Sequence, residues 1–353
     1  MALKNLLWGI ATPIAGALAD RYGSARVLMA GAFLYAIGIV VMTFSSSPLM
    51  LHFGGGILVG TGIALSSFSI VMAALGRIVP PEKRSWAFGL ATASGSLGQF
   101  IFSPLVGALI PAYGWPNTLL VLAASSLIII AFALPLLVQN TTASKQTAGE
   151  TSLSMSEAIS KAFGHSSYLL LVAGFFVCGF QLAFITVHLP PYLAEHGISK
   201  EFAGLAMGAI GLFNVAGSYL SGIIGGRGEK RVPLSIIYLL RAAAIAGFVL
   251  LPITQTTTVI FTATMGFLWL STVPLTMGLV TVMFGTRYMA TLYGFVFLSH
   301  QIGSFLGVWL GGRLYDLYGN YDIVWWMSVA LGVFAAIVNL PIREKRAATF
   351  AAA

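Results

Sequence analysis

Long apolar runs separated by short polar corners fill the chain. Eleven are read, at 5–19, 26–44, 49–76, 86–110, 118–138, 167–194, 202–225, 232–251, 258–284, 290–311 and 323–341. A bilayer-spanning helix needs about 20 mostly apolar residues, whereas a barrel strand shows about ten residues of alternation. The runs fit helices, so the pattern predicts an all-α membrane protein with eleven transmembrane helices, the first of them short. The one long polar stretch, Gln139–Ser166, predicts a linker between two bundles. The expected organisation is an N-terminal bundle at 1–139, a linker at 140–165, a C-terminal bundle at 166–342 and a tail at 343–353. Within the linker, Met155–Phe163 reads as a short amphipathic helix on the membrane surface.

The runs repeat. Gly16-Ala-Leu-Ala-Asp20-Arg21-Tyr-Gly23-Ser-Ala-Arg26 returns, eroded, as Gly222-Ile-Ile-Gly-Gly226-Arg227-Gly-Glu-Lys230-Arg231, an offset of 206. Ser94-Gly-Ser-Leu-Gly98 returns as Ser299-His-Gln-Ile-Gly303, an offset of 205. The run at 167–194 then has its counterpart before Met1. The repeat therefore predicts five helices plus six, with the first helix of the two-fold pattern missing. Met1–Lys4, the following apolar run and Ala17-Leu18-Ala19 also resemble a signal peptide. Against that, the same residues align with the end of the run at 202–225, deep inside the chain.

Composition agrees with a membrane protein: 58% of residues are hydrophobic and 8% charged, where a soluble domain carries about 25% charged residues. The net charge of +8 could suggest nucleic acid, but its distribution excludes that reading. With the corner 20–26 assigned to the cytoplasm, 14 of the 18 Lys and Arg fall on that side, and only Lys4, Lys200 and Arg313 fall on the other. This asymmetry is the positive-inside pattern. It predicts a multi-pass protein of the cytoplasmic (inner) membrane, N-terminus outside and C-terminus in the cytoplasm. Cys178 is the only cysteine, so no intramolecular disulfide forms. No phosphate loop, metal-ligand cluster or catalytic constellation occurs, so neither enzyme activity, cofactor nor metal is expected. GxxxG-like steps at Gly56/Gly60, Gly204/Gly208, Gly303/Gly307 and Gly307/Gly311 predict close helix contacts.

The most specific motif is Gly16-x-x-x-Asp20-Arg21-x-Gly23-x-x-Arg26. Gly16 lets a neighbouring helix approach, Asp20 can accept from a helix N-terminus or from an Arg across the corner, and Gly23 permits the turn. The motif resembles the loop signature of the major facilitator superfamily, departing from it at Ser24 and Ala25. The resemblance implies two pseudo-symmetric helical bundles, with Gly16, Asp20, Arg21, Gly23 and Arg26 as a conformational latch. A narrower resemblance, to monocarboxylate and oxalate–formate porters, is carried by Gly95-Ser-Leu-Gly98-Gln99-x-x-x-Ser103-Pro104-Leu105 with Tyr113-Gly114-Trp115. Cys178-Gly179-Phe180 with His188-Leu189-Pro190-x-Tyr192-Leu193 adds to it.

Polar residues inside spans are expensive and mark candidate sites. Gln99, Gln181, His188, Asn214, Trp269, His300 and Gln301 all lie on runs that the family resemblance assigns to the central cavity or its flanks. Each also has a plain structural reading, a hydrogen bond inside the bundle for the Gln, Asn and His residues and a lipid-facing position for Trp269. Arg241 lies ten residues past Arg231, about 15 Å into the bilayer by helical rise, with no carboxylate inside any run. It reads either as a bond donor to carbonyls or as a substrate or gating residue. The porters place their substrate Arg on the eighth helix, where this chain has Asn214 and Ser218.

Three functions follow as expectations. The first is a monomeric secondary transporter that moves a small organic anion, monocarboxylate-like, by alternating access, with proton coupling or exchange; its partners are the anion, protons and the lipid bilayer, and no nucleic acid. The second is an efflux carrier for apolar or zwitterionic compounds. The third is an inactive truncated carrier.

Overall fold

The computed structural model describes residues 2–137 and 153–350. No strand occurs among the described residues. The first part comprises α1 (Ala2–Tyr22), α2 (Ser24–Thr43), α3 (Pro48–His52), α4 (Val59–Leu65), α5 (Phe68–Ile78), α6 (Arg84–Ser126) and α7 (Ile128–Ala133). The second comprises α8 (Met155–Phe163), α9 (Ser166–Glu195), α10 (Lys200–Arg227), α11 (Arg231–Leu250), α12 (Gln255–Leu268), α13 (Thr272–Phe284), α14 (Met289–Tyr318) and α15 (Asp322–Asn339).

Nine helices among the described residues are long and apolar enough to cross a membrane. The eleven expected runs differ from this in two places. Helix α1 is not among the nine, and Pro81–Leu137 counts once although it holds two expected runs. Those 57 residues would stretch about 85 Å as one helix, against a hydrocarbon core of about 30 Å. The backbone departs from helical geometry inside them at Gly114, with φ 75° and ψ 162°. Glycine reaches that conformation without a Cβ clash, and Pro111 and Pro116 on either side of it disfavour a continuous ladder.

Helix starts follow local chemistry. Ser199 accepts from the Phe202 amide at 3.2 Å, and Thr254 from the Thr257 amide at 3.2 Å. Helix α8 occupies the segment expected for the amphipathic helix, and its N-terminus carries a capping box of Ser154 and Glu157. Half of the linker, 140–152, lies outside the described residues.

Two seams join the part before the linker to the part after it. Helix α1 packs along α14, and α6 along α10. Within the second part α14 also packs on α9, α10 on α12, and α11 on α15. Gly303 and Gly307 sit against the backbone of Phe176 and Phe180, so the α9–α14 contact has no room for side chains there. Gly56 and Gly60 make only ordinary contact with α1, the nearest Leu7 atoms lying 3.7 and 3.6 Å from a Cβ built there. Gly204 and Gly208 correct the sequence expectation. A Cβ at either would meet nothing within 4 Å, because α10 leaves its partner at that level.

Candidate functional site: a seam closed at one end

Helix α1 ends at the corner, and its last turn meets the first turn of α14. A Cβ at Gly16 would lie 2.6 Å from the Ala290 carbonyl carbon, so only glycine allows this approach. Asp20 then reaches the start of α14, where the first amides have no partner inside the helix. Its Oδ2 accepts the Thr291 amide at 2.8 Å and the Thr291 hydroxyl at 2.6 Å. The carboxylate thus caps a helix of the other part and meets the positive end of its dipole. Its other oxygen is paired with the Arg77 guanidinium, and the Asp20 side chain is fully buried. Arg77 Nε also donates to the Thr286 carbonyl at 3.3 Å. Gly23 makes the turn with φ 92°. Arg21 and Arg26 are exposed and take no part in this contact. Sequence reading missed Arg77 and Thr291; the only signal for Arg77 was a lone cation ending the apolar run at 49–76.

The second seam closes at the same end. A Cβ at Gly222 would lie 2.6 Å from the Gly89 Cα, and Ser85 donates to the Gly225 carbonyl at 3.1 Å. Moving away from the Asp20 end, Phe100 is already 4.0 Å from a Cβ at Gly211, and Gly98, Gly107, Gly204 and Gly208 face open space. The two helices therefore touch at one end and diverge toward the other. Along the first seam, Gln301 donates to the Asn5 carbonyl at 3.3 Å, and the Trp8 and Phe297 rings lie 5.1 Å apart.

The eight candidate binding residues separate into groups. His300 and Gln301 adjoin on α14, with the ring Nδ1 3.0 Å from Gln301 Oε1 and the ring stacked on Phe297. Gln301 thereby links His300 to α1. Gln99 is exposed on α6 beside Gly98, on the diverging stretch. Gln181 is turned toward α15 and donates to the Ser328 carbonyl at 2.9 Å. His188 packs against Gly311 and pairs with the Val308 carbonyl at 3.0 Å.

Asn214, Trp269 and Arg241 meet where one long apolar run is interrupted between α12 and α13. Arg241 is fully buried. Its Nε and Nη2 donate to the Leu268 carbonyl at 3.1 and 2.7 Å, and Nη2 also donates to the Trp269 carbonyl. Asn214 Oδ1 accepts the Leu270 amide at 2.9 Å. Of the two readings open for Arg241, its contacts match the carbonyl-bonding one.

A family model described as Major Facilitator Superfamily matches residues 2–308. Monocarboxylate transporter 13 of Rattus norvegicus is 28% identical over 315 residues, covering 88% of this chain and 71% of its own length. An uncharacterized MFS-type transporter, YcxA of Bacillus subtilis, is 25% identical and covers 96% of this chain and 84% of its own. The E. coli fucose:proton symporter FucP superposes with a TM-score of 0.71 at 17% identity, covering 96% of this chain and 89% of its own. The proton:xylose symporter XylE superposes with a TM-score of 0.68 at 15% identity, covering 98% and 86%. The chain belongs to the Major Facilitator Superfamily.

Proposed function

We propose that the chain is a secondary active transporter that carries a small, monocarboxylate-like organic anion across the cytoplasmic membrane by alternating access, with proton coupling or exchange. The observation that carries this reading is the asymmetry of the α6–α10 seam, tight at Gly89 and Gly222 and open beyond Gly98. A seam between the two parts that is closed at one end and open at the other fits one of the two states an alternating carrier requires. The positive-inside pattern assigns the Asp20 end to the cytoplasm, so the state is outward-facing. In this reading Asp20, Gly16, Gly23 and Arg77 form the latch that holds the inner end shut, with Arg21 and Arg26 as exposed cytoplasmic charges. Counting α1 as a span and dividing Pro81–Leu137 at Gly114 gives eleven crossings, five before the linker and six after it.

The anion class is supported by relatives whose names are monocarboxylate transporters. We assign first contact with substrate to His300, Gln301 and Gln99, and support of the wall to Gln181, His188, Asn214, Trp269 and Arg241. One observation favours the efflux alternative for apolar or zwitterionic compounds: the one cation inside the expected runs, Arg241, is engaged with carbonyls. Uptake of labelled lactate, formate and oxalate into proteoliposomes, with and without a pH gradient, separates the two. Saturable anion uptake supports the first reading; no uptake of any of the three, with binding of apolar or zwitterionic compounds, supports the second.

A further inference from the structure

The interruption between α12 and α13 has a partner in the other half of the repeat. Helices α4 and α5 are separated at Ser66 and Ser67, and the offset of 205 carries these onto Ser271 and Thr272. Each half thus has a broken helix at this repeat position. A break frees carbonyls at the end of one segment and amides at the start of the next, and inside a membrane these need partners.

The two breaks meet that need differently. At the C-half break, the Leu268 and Trp269 carbonyls take the Arg241 guanidinium from α11, and the Leu270 amide takes Asn214 from α10. Ser221 of α10 also donates to the Ser271 carbonyl. Three neighbouring side chains therefore pin it. At the N-half break all bonds are local: Ser66 donates its amide and hydroxyl to the Gly62 carbonyl at 3.1 and 2.7 Å, and Ser67 pairs with Ser69 at 2.6 Å. At offsets of 205 and 206, Arg241 corresponds to Ala36 and Tyr35, and Asn214 to Gly9 and Trp8. None of the four bonds this break among the described residues. The segment leading into it is also less regular, with a π-helical turn at Phe53–Leu58 containing three glycines. The matching C-half segment, α12, is regular and capped by Thr254.

We propose that Arg241 is a positioning residue that locks the C-half break, so that α12 and α13 form a fixed wall of the carrier while the unlocked break at Ser66–Ser67 supplies the bending. The physical reason is bond geometry. A fork of donors holding two successive carbonyls fixes the direction of both segments, whereas bonds within four residues travel with the segment and resist bending little. A guanidinium inside the bilayer also strongly disfavours any movement that strips its carbonyls. The inference rests on the transport reading for its meaning, but its test does not use transport.

The test is amide hydrogen exchange of the full chain in lipid nanodiscs, read at 64–71 and 268–276. In the unmodified protein the first segment is expected to exchange about tenfold faster or more, since local opening follows bonding and contact density. Arg241→Met should raise exchange at 268–276 to the level of 64–71 and leave 256–262 unchanged; Arg241→Lys, with donors but no fork, should fall between. Equal exchange at the two breaks in the unmodified protein overturns the proposal, whether or not the variants fold. So does a uniform rise along all of α12 and α13 in Arg241→Met, the mark of a merely stabilising residue. Loss of the transport reading shows separately, as absence of L-lactate uptake by the unmodified protein with the exchange contrast intact.

Discussion

Asp20 Oδ2 lies 2.8 Å from the Thr291 amide, although 271 positions separate the two residues. One carboxylate thus ends a helix in the first half, begins a helix in the second and holds Arg77 between them. Separation of the two parts at this end has to break all of these contacts together.

The first prediction follows from this arrangement. Asp20→Asn keeps an acceptor for Thr291 and loses the charge, so it should weaken closure by about 1.5–3 kcal/mol, the range for bonds to charged groups. Arg77→Gln leaves a buried carboxylate short of its cation and should be the more damaging, by about 3–5 kcal/mol. In a Cys178→Ser background, maleimide labelling of Ser85→Cys reads the effect. Faster labelling in both variants, more so for Arg77→Gln, is expected; unchanged labelling would remove the latch.

Sidedness is the second. Arg26 and Lys200 are both exposed. Cysteines at these positions should react with an impermeant reagent from opposite faces of the membrane, Arg26→Cys from the cytoplasmic face. Reaction of both from one face contradicts the orientation.

A third concerns the open stretch. A Cβ at Gly204 meets nothing within 4 Å, so Gly204→Trp should fold and stay in the observed state. Closing the outer end would drive the ring into α6, and L-lactate exchange should drop at least about tenfold, the loss of roughly 1.4 kcal/mol or more in the closed state. Full exchange activity would mean that this surface never closes.

Helix α8 gives a pH-dependent outcome. The Ser154 hydroxyl and amide hold the Glu157 carboxyl below its usual range. A carboxylate lowered in the folded state stabilises above its unfolded value and loses that contribution as pH falls through the folded one. Exchange at 155–163 should therefore be low at neutral pH and rise under acid, and Ser154→Ala should raise it at neutral pH. An acid-insensitive α8 in the unmodified protein would contradict the cap.

His300 supplies the fifth. If its ring holds the anion, His300→Gln should weaken L-lactate binding by about 1–3 kcal/mol, and His300→Lys, which carries a cation, should retain it. Unchanged L-lactate binding in His300→Gln would leave His300 as the partner of Gln301 alone.

Much of this was legible in sequence because membrane folds are written in long-range patterns. The apolar runs mark most of the helices, and the resemblance carried by the Gly16–Arg26 motif points to the superfamily, both without contacts. Asp20 was legible as an acceptor because its motif fixes a corner. Its donors were not: Thr291 is one hydroxyl among many, and Arg77 looks like any loop cation until the fold brings α5 beside α1. The same limit applied to Arg241. Depth and lack of a carboxylate made it conspicuous, but carbonyl groups leave no mark in a sequence, so the break they mark could not be seen. Gln181 and His188 lie on one run; which face they occupy depends on helix rotation, which spacing does not fix.

The most direct test of the transport cycle is a pair of spin-label distances across the α6–α10 seam, in the Cys178→Ser background and in lipid. One pair, Lys83→Cys with Arg227→Cys, reports the Asp20 end; the other, Ala112→Cys with Lys200→Cys, reports the diverging end. The expected result on adding L-lactate at acid pH is reciprocal: the first distance lengthens as the second shortens. Distances that stay fixed, or that change in the same direction, would contradict alternating access by this chain.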